Sequence, residues 1–436
     1  MKKMKRYAIE SLINWKESPN RKPLLLYGAR QVGKTWLVRD FASASYTDLI
    51  ELNFFTNKSL KQIFDTDITP KHIITQLEIR FGRSIDPAKT LLFFDEIQES
   101  QRAMDSLKTF NDMAPQYHLI AAGSFLGIML GQRPVGQTDQ LTLFPMTFFE
   151  FLEAVGREQL VKVIKERDPA ALNSLSHLLT ELLKQYYYTG GMPAAVLEFS
   201  TSGNLDRVRE IQNNLLIDYK GDFSRHIRSQ DIPKLNILWD SIPIHLIKEK
   251  KKFVYKEIKT GARAAEFENA MQWLVDTGMV HKINRVDNPQ IPLSAHQSFG
   301  IFKLYMMDIG LFCAKAEISP RDILLPTDIT GSFNGALAEQ FVCQELKAKK
   351  VSSLFYWGRE KGMAELDFIT QHNGNIIPIE VKSAKQTKAK SLQVYMNEYK
   401  PAFAVRTSLK NFGVNNNLYS VPLYMISELY DISTTS

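Results

Sequence analysis

Cysteine is nearly absent from this chain. Cys313 and Cys343 are the two among 436 residues; they stand thirty positions apart, with no CxxC or Cys/His cluster. That excludes a disulfide framework and a structural zinc site, and it fits a reducing compartment. Long hydrophobic runs are missing too. The longest uncharged stretch, Met113 to Gln132, is interrupted by Pro115, Gln116, His118 and Gly123-Ser124, so it falls short of the ~18 consecutive apolar residues of a membrane span. The start, Met1-Lys2-Lys3-Met4-Lys5-Arg6, is basic. The segment Tyr7–Trp15 that follows carries Glu10 and Asn14, so it is no signal-peptide core, and a cytoplasmic location without membrane attachment is expected. There is no internal repeat and no low-complexity tract. A strong charge of one sign is also lacking: the formal +7 divides into +3 over residues 1–150, 0 over 151–230, +1 over 231–330 and +3 over 331–436. An anionic partner is favoured only weakly by that balance.

What is present is ordinary globular composition, 44% apolar and 23% charged, in a length that suits about three folded units. Up to about residue 150, short apolar runs alternate with helical periods, the rhythm of βαβ units around a parallel sheet. Leu24–Tyr27, Ile50–Asn53, Leu91–Phe94 and His118–Ala122 read as strands. Residues 151–230 have helical spacing, with Leu179, Leu182, Leu183 and Tyr186 on one stripe, and suggest a helical lid or spacer broken at Gly190-Gly191-Met192-Pro193. Residues 231–315 read as two short helices, a longer helix Ala264–Asp276, then strands near Val280–Val286 and Gly300–Met306. That order suggests a winged helix with Asp287–Ser298 as its wing. Residues 316–330 read as a linker, and 331–425 as a final α/β domain followed by a polar tail.

Gly28-Ala29-Arg30-Gln31-Val32-Gly33-Lys34-Thr35 matches GxxxxGK[ST] between the strand Leu24–Tyr27 and a helix over Thr35–Phe41. In such a loop, backbone N–H groups wrap the phosphates of ATP, Lys34 neutralises their oxygens, and the Thr35 hydroxyl serves Mg²⁺. Leu91–Phe94 buries a strand that delivers Asp95 to the Mg²⁺ shell and Glu96 to the attacking water. Paired acids there favour hydrolysis over passive binding. Ser124, at the end of His118–Ala122, reads either as a polar sensor beside the γ-phosphate or as a helix N-cap. Arg133, after a short helix Phe125–Leu130, reads either as an arginine finger, in cis or from a neighbouring subunit of a homo-oligomer, or as an ordinary exposed side chain.

GARQVGKTWL, LLFFDEIQ, LIAAGSFLG, LTLFPMTFFEFL and YYYTGGMP together resemble the AAA+-type ATP-binding proteins of bacteria and archaea that end in a nuclease-like domain of unknown function. The resemblance covers nearly the whole chain. It implies a P-loop core, a helical lid, a winged helix and a restriction-endonuclease-like C-terminal domain. One departure is the segment Gly131-Gln132-Arg133-Pro134-Val135-Gly136 before LTLFP, where the family often has a Gly-Arg pair followed by charged residues.

In the final domain an Asn373-Gly374 turn joins Glu365–Ile369 to Ile376–Lys382, a hairpin signal. Period-2 alternation puts Glu380 and Lys382 on one face, and the hairpin brings Asp367 near them. This is the D-x₁₂-E-x-K form of the PD-(D/E)XK signature, in which the acids hold one or two Mg²⁺ or Mn²⁺ and the lysine activates water. Glu339, on a helical face with Val342, Cys343 and Leu346, resembles the first-helix glutamate of that group. A carboxylate on such an apolar face must be paired or bind metal. An exposed charged hairpin face is the alternative.

Lys248–Arg263 holds seven basic residues (Lys248, Lys250, Lys251, Lys252, Lys256, Lys259, Arg263) against Glu249 and Glu257. They read as a phosphate-tracking surface, or as a protein-packing one. Lys382, Lys385, Lys388 and Lys390 read as a substrate-backbone contact or a solvated face. The sequence therefore leads to a Mg²⁺-dependent ATPase acting on nucleic acid, DNA rather than RNA. Its C-terminal domain either cleaves phosphodiesters or only grips a partner under nucleotide control.

Overall fold

The computed structural model describes residues 4–124, 136–248, 251–258, 261, 263–324, 331–351, 353–359, 364–383 and 389–433. Two compact units emerge: residues 5–144 with 276–278, and residues 145–275 with 279–436.

The first unit is built on five parallel strands: β1 (Leu24–Tyr27), β2 (Asp48–Asn53), β3 (Thr90–Asp95), β4 (His118–Ala122) and β5 (Asp139–Thr142), in the order β2-β3-β4-β1-β5. The uninterrupted apolar runs of β1, β3 and β4 are central and buried, as strands covered on both faces must be. Placing β4 between the loop-bearing β1 and the acid-bearing β3 brings the ends of all three strands to one edge. The helix after the glycine loop runs Lys34–Ser45, one turn beyond the expected span. Phe54, Phe64, Phe94 and Phe110 pack edge-to-face beneath β3 and hold that edge rigid.

The second unit opens with helices Phe148–Ala154, Glu158–Glu166, Pro169–Thr189, Pro193–Ser202 and Leu205–His226, in line with the helical spacing of 151–230. The expected stripe Leu179, Leu182, Leu183 and Tyr186 is buried. Two of the motifs that carry the family resemblance meet here. Met146 N donates to Gly191 O at 2.7 Å, and the Tyr186 hydroxyl donates to Met146 O at 2.5 Å. A Cβ at Gly191 would stand 2.0 Å from that same Met146 oxygen, so only glycine fits. LTLFPMTFFEFL and YYYTGGMP are thus two halves of one packing contact.

Eight strands form the second sheet. They are β6 (Val280–Val286), β7 (Gln297–Met306), β8 (Leu354–Gly358), β9 (Glu365–His372), β10 (Asn375–Val381), β11 (Ala404–Ser408), β12 (Gly413–Asn415) and β13 (Leu418–Pro422), in the order β12-β13-β11-β10-β9-β8-β6-β7. Helices Ile232–Ile247, Tyr255–Ile258 and Ala264–Asp276 precede β6 and β7, but the first, at 16 residues, is the longest of the three where a short helix was expected. The strands are not a free-standing wing either. β6 pairs in parallel with β8 through Arg285↔Tyr356 and Val286↔Trp357, so one sheet crosses the expected linker. Val286 and Leu293 share a core with Trp357, Ile369, Leu392 and Tyr395, and that shared apolar surface favours the joined sheet. Part of the expected linker is helical, Pro320–Leu324, and residues 325–330 lie outside the described residues.

Helix Gly331–Ala348 buries an unusually polar face against this sheet. Gln340 exchanges two hydrogen bonds with the Met306 backbone, at 2.9 and 2.6 Å, and Gln344 accepts from Ile309 N at 2.8 Å. Glu345 accepts from Phe148 N at 2.9 Å. Gln340 thus satisfies backbone groups at the end of β7, and Gln344 and Glu345 satisfy the first N–H groups of the helices Ile309–Lys315 and Phe148–Ala154.

Candidate nucleotide and acid sites

At the edge formed by β1, β3 and β4, Gly28 has a φ of +143°, and a Cβ there would lie 2.3 Å from Leu143 O. Gly33, at φ 96°, opens helix Lys34–Ser45 with no side-chain cap, so the first helical N–H groups remain available for an anion. Ala29, Arg30, Gln31 and Val32 complete the loop. Arg6 clamps it by donating to Val32 O at 2.8 Å and to Phe144 O at 2.6 Å.

Lys34 is buried, with its ammonium folded back on the loop. It donates to Gly28 O at 2.8 Å, Ala29 O at 2.9 Å and Ser124 Oγ at 2.9 Å. Burial pushes it down to about 8, against the opposing pull of Glu96 and Asp95. These three acceptors occupy the ammonium as a phosphate would. Thr35 Oγ1 donates to Asp95 Oδ2 at 3.0 Å. Burial, then the Glu96 charge, raises the Asp95 carboxyl above the usual range, while the bonds from Thr35 and Asn53 work the other way. The residues fit ATP and Mg²⁺: an uncapped helix start and a buried ammonium for phosphate, a hydroxyl and a carboxylate for the ion.

Glu96 sits in the left-handed region at φ 52°, a conformation that non-glycine residues adopt at a cost of roughly 1 kcal/mol and that clusters at working sites. Gln98 Nε2 fixes its carboxylate at 2.5 Å. Sequence reasoning missed Gln98, and it missed Asn53, whose Nδ2 donates to Asp95 Oδ2 at 3.0 Å. A signal existed for Asn53: it ends β2 and faces Asp95 across the pairing of β2 with β3. Ser124 is buried against Lys34; the helix expected at Phe125–Leu130 and Arg133 lie outside the described residues.

In the second unit the expected hairpin forms, with Asn373 and Gly374 at φ 47° and 76° and antiparallel pairing from Asn375↔His372 to Ile379↔Phe368. Asp367 lies beside Glu380; its Oδ2 accepts from Val381 N at 2.8 Å, and Lys382 donates to Glu380 Oε1 at 2.6 Å. Burial, followed by the charges of Glu339 and Glu380, raises the Asp367 carboxyl well above the carboxylate range. Burial also raises Glu380, whose Oε2 has no hydrogen-bond partner among the described residues.

Glu339 joins the acids as expected, but it is paired. Lys251 forms a short ion pair with Oε1; Tyr305 donates to Oε2 at 3.1 Å, and Lys303 Nζ stands 3.7 Å from the same oxygen. Although burial alone would raise it, the two lysines bring Glu339 down to about 2. The metal expected at Glu339, Asp367 and Glu380 does not fit this arrangement. Among the described residues no group of three or more His, Cys, Asp or Glu side chains is disposed to hold an ion. The basic stretch changes meaning as well. Lys251 turns inward and Lys248 pairs with Glu257 at 2.6 Å, leaving Lys252, Lys256 and Arg263 exposed. Lys250, Lys259, Lys385 and Lys388 lie outside the described residues.

Residues 20–152 match the family described as AAA domain. Residues 180–322 and 334–426 match two domains of unknown function, DUF8612 and DUF4143. The first unit therefore carries a P-loop domain of the AAA ATPase type. No curated protein matches the chain. Among solved structures, a Walker-type ATPase of Pyrococcus abyssi is 15% identical, covering 72% of this chain and 96% of that one at a TM-score of 0.45. The Thermotoga maritima RuvB Holliday junction branch migration motor is 14% identical, covering 64% and 90% at 0.30. Scores this low carry no functional argument. Among the described residues no helix is long and apolar enough to cross a membrane.

Proposed function

We propose that this protein is a Mg²⁺-dependent ATPase whose nucleotide state switches its grip on nucleic acid, DNA rather than RNA. The observation that supports it best is the single edge where buried Lys34, the Thr35–Asp95–Asn53 chain and the strained Glu96 stand together. Lys34 trades Ser124 and the loop carbonyls for phosphate oxygens, Thr35 and Asp95 hold the ion, and Glu96, aimed by Gln98, takes the proton of the attacking water. Mg²⁺ would supply charge neutralisation of the phosphates. Arg133 as a finger, in cis or from a second copy, belongs to the same proposal.

The nucleic-acid half rests on less: the exposed Lys252, Lys256 and Arg263 ahead of helix Ala264–Asp276, in the winged-helix order of elements. A second reading, metal-dependent cleavage by a restriction-endonuclease-like C-terminal domain, draws on Asp367, Glu380 and Lys382 meeting at one hairpin. ATP turnover by wild type, Lys34→Ala and Glu96→Gln tests the main reading. Loss of nucleotide binding in the first variant and of turnover with retained binding in the second is expected; unchanged turnover in Glu96→Gln would refute the assignment. Nicking of plasmid DNA with Mn²⁺, abolished in Glu380→Ala, would instead establish the second reading.

A further inference from the structure

The acid cluster around Glu339 is short of cations within its own motif. Glu339, Asp367 and Glu380 gather in a largely buried place with Glu365 at its rim, and Lys382 answers Glu380 alone. A divalent cation is the ordinary answer to that deficit in a site of this composition. Here two lysines from outside the motif supply the same two charges. Lys303 is 1% exposed; it lies within β7, held between Glu365 at 2.7 Å and Glu339 at 3.7 Å. Lys251, from the segment before helix Tyr255–Ile258, pairs with Glu339 from the other side.

We propose that Lys251 and Lys303 take the place of a divalent cation, so that the C-terminal acid cluster is closed by the chain's own ammonium groups. The geometry supports this in three ways. Both oxygens of Glu339, the residue a metal would need first, are occupied by Lys251, Lys303 and Tyr305. Lys303 is buried, and its backbone is anchored in the pairing of β7 with β6. A divalent ion added to the present arrangement would lie against the Lys251 and Lys303 ammonium groups, like charges with little water between them to screen the repulsion. The cluster then works as a lock between two stretches of sequence, with Lys251 and Lys382 as its parts outside regular elements. The unpartnered Glu380 Oε2 marks where an ion would attach once Lys251 was removed.

This inference is independent of the ATPase reading, and its test uses nucleotide-free full-length protein. Mn²⁺ is titrated into wild type, Glu380→Gln, Lys251→Met and the Lys251→Met/Glu380→Gln double variant, with free Mn²⁺ followed by electron paramagnetic resonance. Wild type and Glu380→Gln should be indistinguishable. Lys251→Met should gain a site about tenfold or more tighter than any in wild type, and the double variant should lose it. A wild-type site that disappears in Glu380→Gln overturns the proposal, and that comparison stands even if Lys251→Met fails to fold. A folded Lys251→Met, shown by a native thermal transition, that gains no site overturns it equally.

Discussion

The Lys34 ammonium donates to the Ser124 hydroxyl at 2.9 Å, tying the start of helix Lys34–Ser45 to the residues that follow β4. Each holds the other in place, because Lys34 sits in a buried setting that would otherwise leave a donor open. A polar residue at the end of β4 therefore prepares the lysine before any phosphate arrives.

Ser124→Ala should lower ATP turnover by roughly ten- to a hundredfold, the worth of one hydrogen bond from its hydroxyl to the charged phosphate. The affinity for nucleotide should move less, since the loop N–H groups and Lys34 itself remain. Steady-state turnover beside fluorescent-nucleotide binding separates the two. A fall in affinity equal to the fall in turnover would show that Ser124 serves binding alone.

Burial brings Lys34 down to about 8 in the nucleotide-free protein. Above that pH the empty site holds a neutral amine, and a bound phosphate favours the ammonium, so binding must take up a proton. Affinity should then weaken by up to about tenfold per pH unit above pH 8. Calorimetry in buffers of different ionisation enthalpy at pH 8.5 reads the uptake directly; a binding heat that does not depend on the buffer would contradict it.

Glu345 tests the polar face of helix Gly331–Ala348. Burial pushes its carboxyl up to about 8 while it accepts from Phe148 N. Between the ordinary glutamate range and pH 8 the folded state holds more protons than the unfolded one, so stability falls as pH rises through that window. Glu345→Gln keeps the acceptor and removes the titration. Its melting temperature should stay close to wild type at pH 5 and exceed it increasingly toward pH 8. A gap that does not widen would place the proton elsewhere.

The legible parts of this chain were local ones. The glycine loop, the Asn373-Gly374 hairpin and four of the five strands of the first unit each declare themselves within a dozen residues, through turn chemistry and apolar runs, whereas β5 has only Leu141 as an apolar residue and gives no such signal. Helix Ala264–Asp276 was read to its ends. What stayed hidden depends on partners far along the chain. Lys251 looks like one more exposed cation until Glu339, 88 positions on, is seen beside it. Lys303 lies in the apolar run Phe302–Met306, where nothing in the strand period announces a buried charge. Asn53 required the order of strands, because its tie to Asp95 exists only when β2 and β3 are neighbours.

The pairing of β6 with β8 has a practical side. The two domains of unknown function are matched as separate stretches, yet each contributes strands to the same sheet. A fragment cut between them would carry β8 with a bare row of backbone donors and acceptors, ready to recruit the same edge of another copy. For folding and expression the two matched stretches therefore make one piece.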